Sequence, residues 1–93
     1  MKMETARVTN PQGLHARSAA TIVKLATLFQ SSIELKNGAK VANAKNIMAL
    51  LLLEASKGTQ LTVCTDGNDE AQALAQMIRL IEDNFGETST PSP

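Results

Sequence analysis

Hydrophobic and polar positions alternate between two periods along this chain. From Ala16, apolar residues recur at Ala19, Ile22, Val23, Ala26 and Phe29, with Arg17, Ala20, Thr21 and Lys24 on the opposite face. That spacing predicts an amphipathic helix. Gln30-Ser31-Ser32 breaks it, and Ile33 and Leu35 then alternate with Ser32, Glu34 and Lys36, the period of a half-buried strand. Asn37-Gly38 predicts a two-residue hairpin turn, with a return strand over Ala39–Asn43. Asn46 is a good N-cap for a short helix opening at Ile47-Met48 and ending near Gly58. Thr59–Thr65 alternates again, and after Asp66-Gly67 a second long helix follows, capped by Asn68 or Asp69. Its predicted buried stripe is Ala71, Leu74, Ala75, Ile78, Ile81 and Phe85, with Gln72, Gln76, Arg79 and Asp83 outside. With a first strand in Met1–Val8, the order is βαββαβα.

Two long helices whose apolar stripes need one common sheet face imply a two-layer, open-faced α/β sandwich. A right-handed crossover between the first two strands leaves a gap that the last strand can fill, a split βαβ arrangement. Residues 1–86 form one domain on this reading, and the polar, proline-containing tail 87–93 is expected to be disordered.

Composition narrows the function classes. Nine basic and nine acidic residues cancel, and Trp and Tyr are absent, so neither a basic field nor a stacking platform for nucleic acid is expected. Cys64 is the sole cysteine, which excludes an intramolecular disulfide or a cysteine-based zinc cluster and points to a reducing compartment. The longest strongly apolar run, Ile47–Leu53, is far short of the roughly 20 residues of a membrane span. A cytoplasmic protein without cofactor or metal is expected.

The one histidine, His15, stands between the turn formers Asn10-Pro11-Gln12-Gly13 and the first turn of the first helix. Backbone N–H groups of a helix start, such as that of Ala16, lack partners inside the helix and together with the macrodipole make a site for an anion. Arg17 adds a guanidinium whose planar fork suits phosphate oxygens. A neutral imidazole leaves one ring nitrogen with a free lone pair, so His15 is a candidate nucleophile toward phosphorus. The same placement also suits an ordinary surface or capping residue. Metal binding and a hydrolytic dyad with Ser18 are poor alternatives, because further ligands and a third catalytic member are missing.

The segment Asn10-Pro11-Gln12-Gly13-Leu14-His15-Ala16-Arg17 closely resembles the phosphohistidine site of the bacterial phosphocarrier family of the sugar phosphotransferase system. The resemblance runs from about residue 2 to residue 86 and takes in Asn37-Gly38, Ile47-Met48 and Ala55-Ser56-Lys57-Gly58. It implies an open-faced β-sandwich, with a four-stranded antiparallel sheet and three helices on one face. It implies a carrier rather than an enzyme: Nδ1 of His15 accepts a phosphoryl group from enzyme I, ultimately from phosphoenolpyruvate, and passes it to enzyme IIA domains, with Arg17 stabilising the group. Ala16, Arg17, Ala20, Lys24, Ile47, Met48 and Leu51 correspond to the family's docking residues, and Arg17, Lys24 and Lys45 would form a basic rim. Transcriptional regulators are further candidate partners, and a monomer suits a shuttle. Asn46 stands where many relatives carry a phosphorylatable serine, so no regulatory site is expected there. Ser18 replaces a usual proline, which should loosen the site slightly. A nitrogen-branch carrier with a regulatory role and a binding module that carries no phosphate are the alternatives.

Overall fold

The computed structural model describes residues 1–86; the tail 87–93, expected to be disordered, lies outside the described residues. The elements are β1 (Lys2–Arg7), α1 (Ala16–Ala26), β2 (Ser32–Asn37), β3 (Lys40–Asn43), α2 (Ile47–Leu51), β4 (Gln60–Asp66) and α3 (Glu70–Glu82), followed by a single 3-10 turn at Asn84–Gly86. The sheet order is β1-β4-β2-β3, and every neighbouring pair is antiparallel. The last strand fills the gap between the first two, as the split βαβ arrangement requires.

Strand alternation divides the sheet into two faces. Ala6, Leu61, Val63, Ile33, Leu35 and Ala42 are buried toward the helices, with Ala6 opposite Leu61 and Leu35 opposite both Val63 and Ala42. Onto them pack Ala19, Ile22 and Ala26 of α1, Leu50 of α2 with Leu53 just beyond it, and Leu74, Met77, Ile78 and Ile81 of α3. Each fully buried Leu or Ile contributes about 1.5–3 kcal/mol. The other face aligns Met3, Cys64, Glu34 and Asn43 in one row and Thr5, Thr62, Lys36 and Val41 in the next, mostly polar and uncovered by helices.

Several local expectations shift. The hairpin turn is Gly38-Ala39, one residue later than Asn37-Gly38, because Asn37 pairs with Lys40. Within this turn only Gly38 has positive φ, at 62°, the first central position that a type II′ turn reserves for glycine. The short helix ends at Leu51 rather than near Gly58, and Glu54 then takes a left-handed φ of 53°. In α3 the buried alanine is Ala73, whereas Ala71 and Ala75 are exposed, and Met77 joins the buried stripe. Phe85 is buried, but from the turn after α3.

Asp69 occupies the N-cap position of α3 yet makes no side-chain cap. Its carboxylate instead accepts from the backbone N–H groups of Gln30 and Ser31, both at 2.9 Å, and from the Ser31 hydroxyl. The Ser31 hydroxyl first, and then the Gln30 amide, hold this carboxyl below its ordinary range. The bond joins the start of α3 to the α1–β2 connection.

Candidate functional site

The loop that carries His15 is built by hydrogen bonds to the segment before β4. Val8 N donates to Thr59 O at 2.8 Å and Gly58 N to Val8 O at 2.7 Å, so the chain leaves β1 already paired. Asn10, 3% exposed, folds the turn upon itself: Gly13 N donates to Asn10 O at 3.1 Å and Asn10 Nδ2 to Gly13 O at 2.8 Å. Leu14 N then donates to Ala55 O at 2.7 Å. Gly13 is required twice over. Its φ is +67°, and a Cβ there would stand 2.5 Å from Ala55 O and 2.8 Å from Ser56 Cα.

His15 is the N-cap of α1, with extended backbone (φ −134°, ψ −175°), and is half-buried. Its Nδ1 accepts from the Arg17 backbone N–H at 3.3 Å, while Nε2 is covered by the protein. Ser18 Oγ accepts from His15 N at 2.8 Å, closing a capping box. Ser18 is fully buried and its hydroxyl also reaches His15 O at 3.1 Å and Gly13 O at 3.4 Å. Where loosening was expected from this residue in place of proline, its hydroxyl ties the loop to the helix. Ala16 and Arg17 are exposed in the first turn, which holds no acidic side chain. The ring nitrogen that faces the Arg17 amide therefore lies at the positive end of the helix dipole, where an anionic group would meet first-turn N–H donors.

Beside this turn, α1 and α2 pack together, and the expected docking residues divide. Ala20 and Lys24 are exposed on α1, and Met48 is 65% exposed on α2. Ile47 is at the edge of exposure and Leu51 is half-buried. Leu52, not singled out in the sequence, is 71% exposed, because the helix ends at Leu51 and turns the next side chain outward while Leu50 and Leu53 enter the core. Asn46 caps α2, its Oδ1 accepting from Ala49 N at 3.2 Å. Lys45 does not stand free on a basic rim: its Nζ donates to Phe29 O at 2.9 Å and ties the start of α2 to the end of α1.

The comparisons with known proteins converge on this segment. The family described as "PTS HPr component phosphorylation site" matches residues 2–83. The chain is 44% identical over 80 residues to the phosphocarrier protein HPr of Xylella fastidiosa, covering 86% of this chain and 90% of that protein. It is similar, at 40% identity and a TM-score of 0.88, to the crystal structure of HPr-C-His from Thermoanaerobacter tengcongensis, covering 95% of this chain and 99% of that one. It is 36% identical over 80 residues to the PEP-dependent dihydroxyacetone kinase phosphoryl donor subunit DhaM of Providencia stuartii, covering 86% of this chain but 17% of that protein. With a family match over most of its length and relatives above 40% identity, this chain belongs to the HPr family of phosphocarriers of the phosphotransferase system.

Proposed function

We propose that His15 is the phosphoryl-carrying residue, taking the group on Nδ1 from enzyme I and delivering it to enzyme IIA domains in sugar uptake. The observation that carries this reading is the Nδ1 of a helix-capping histidine held 3.3 Å from a first-turn amide. A nitrogen that accepts this bond presents a lone pair, and attack on phosphorus forms an Nδ1–P bond as the bond from phosphorus to its carrying atom on enzyme I breaks, the bonding pair leaving with that atom. The new phosphoryl oxygens then replace the lone pair as acceptor for the Arg17 amide and take the Ala16 amide as a second donor, and the Arg17 guanidinium balances their charge. Transfer needs in-line approach and charge stabilisation more than a deep pocket, so a half-buried ring at the surface lets two partners reach it in turn.

For docking, Ala16, Arg17, Ala20, Lys24, Ile47, Met48 and Leu51 serve as the partner surface, joined by Leu52. The exposure of all of these but the half-buried Leu51 supports this, and a flexible methionine suits a patch that serves several partners. Met48→Glu is expected to weaken partner affinity about tenfold or more, since the charge would be desolvated in the complex. Titration calorimetry with enzyme I measures it; equal affinity would place Met48 outside the interface.

Asn46 supports a second reading, a nitrogen-branch carrier with a regulatory role, since it caps α2 as a serine would but cannot accept a phosphoryl group. Both readings place the protein in the cytoplasm, and among the described residues no helix is long and apolar enough to cross a membrane. Charging the protein with phosphoenolpyruvate and each branch's enzyme I, then presenting sugar-specific and nitrogen-specific IIA domains, separates them. Sugar-branch transfer at the faster rate is the expected result. Faster nitrogen-branch transfer would make the second reading the correct one.

A further inference from the structure

The turn after α3 is strained without an evident local need. Asn84 and Phe85 have φ of 55° and 57°, consecutive left-handed residues of which only Asn tolerates that region readily. Phe85 is held there by burial, at 1% exposed, in a turn that packs against α1. The result is that Asn84 is carried across to the opposite end of the chain, where its Oδ1 accepts from the Thr9 hydroxyl, 75 residues away in sequence. Thr9 lies one residue before Asn10, whose two hydrogen bonds with Gly13 fold the loop. Gly13 O in turn reaches Ser18 Oγ, which accepts from His15 N.

From this series of contacts we propose that Asn84 is a positioning residue for His15, resting on the phosphocarrier reading given above. Val8 and Leu14 fix the two ends of the loop through backbone bonds to the segment before β4. The stretch between them is held from the helix side by the Ser18 hydroxyl on Gly13 O and, from the far end of the chain, by Asn84 on Thr9. A strained pair of residues retained at a site's edge is a reason to look for such a role. Loss of the brace lets the Asn10–Gly13 turn move, and with it the ring nitrogen relative to the first-turn amides. Misplacement of a reacting atom is costly to transfer even where the fold is intact.

The test uses Asn84→Gly, which removes the side chain yet suits the left-handed backbone, and Asn84→Asp, which keeps an acceptor at the same place. Thr9→Val and the double variant Asn84→Gly/Thr9→Val complete a cycle. Phosphorylation by phosphoramidate, a small donor that needs no protein partner, is followed by mass spectrometry, with thermal melts alongside. Asn84→Gly and Thr9→Val are expected to slow phosphorylation on the order of threefold or more, with melting temperature unchanged or higher for the glycine variant. The double variant should be no slower than either single one, and Asn84→Asp should restore the rate. Wild-type rates in Asn84→Gly, or additive losses in the double variant, overturn the proposal. Amide hydrogen exchange at Gly13, Leu14 and Ala16 in the unphosphorylated protein decides it independently: faster exchange in Asn84→Gly supports the brace, and unchanged exchange contradicts it. A wild-type protein that takes no phosphoryl group would contradict the carrier reading, while the exchange result would still judge the brace.

Discussion

The starts of the two long helices differ in where the N-cap side chain points. At α1, His15 turns its Nδ1 onto its own helix's amides, and no carboxylate stands in the first turn. At α3, Asp69 turns away from its helix to bind the Gln30 and Ser31 amides, and Glu70 in the first turn accepts from Gly67 N at 3.1 Å. Both termini carry the positive end of a helix dipole. At α3 the N-cap carboxylate is committed to the α1–β2 connection and a second one stands in the first turn, so this terminus serves the fold, while the α1 terminus is capped by an imidazole with no acidic side chain in its first turn. On the proposed reading, the same backbone feature becomes structural or chemical according to which side chain occupies one position and what lies across from it.

Exchanging the caps breaks the comparison most severely. His15→Asp places the preferred type of cap at α1 and should abolish phosphorylation altogether, while leaving stability unchanged or raising it by up to about 1 kcal/mol. Mass spectrometry after charging and a urea titration measure the two effects; a marked loss of stability would mean that the imidazole does more than cap. Gly13→Ala tests the loop that delivers the histidine to its helix. Its left-handed φ and the contact with Ala55 O predict a loss of roughly 1–3 kcal/mol, again read from the urea midpoint. A neutral substitution would show that the loop can shift away from the 55–56 segment.

Asp69→Asn sharpens the other side. The folded protein holds this carboxyl below its ordinary value, so its contribution is present above the unfolded value of about 4 and is lost as pH falls through the folded one. The variant should melt a few degrees lower at neutral pH, and its melting temperature should fall less than the wild type's on acidification below pH about 4. Parallel melting curves across that range would contradict the assignment. Phosphorylation at His15 should be unaffected, since Asp69 belongs to the other helix start.

Much of this division was legible in the sequence, and the failures have physical causes. The period around Ile22 and the strand alternation at Ile33 and Leu35 are strong because large apolar residues alternate with charged ones. In α3 the phase is ambiguous where alanines stand at 71, 73 and 75, and packing on the sheet chose Ala73 with Met77. The hairpin turn moved by one residue because cross-strand pairing sets Ala42, not Lys40, opposite Leu35. Local propensity extended α2 through a leucine run, whereas the chain turns at Glu54 and presents Ala55 O to Leu14 N. The candidate site was visible as Gly13-Leu14-His15-Ala16-Arg17. Its supports were not, because Ala55, Ser56 and Asn84 reach the loop from distant parts of the chain, and Ser18 reads in the sequence only as a poor dyad partner and a departure from proline. Leu52 escaped notice since its exposure depends on where α2 stops.

The central claim concerns one atom, the ring nitrogen of His15 that faces the start of α1. Long-range proton–nitrogen NMR of the phosphorylated protein, charged from phosphoenolpyruvate through enzyme I, reports directly which nitrogen carries the phosphoryl group. The account predicts phosphorus coupling to Nδ1 of His15, with the Ala16 and Arg17 amide protons shifted downfield as they bond to the phosphoryl oxygens. A phosphoryl group on Nε2, or on any other residue, with those two amide resonances unmoved, would contradict it.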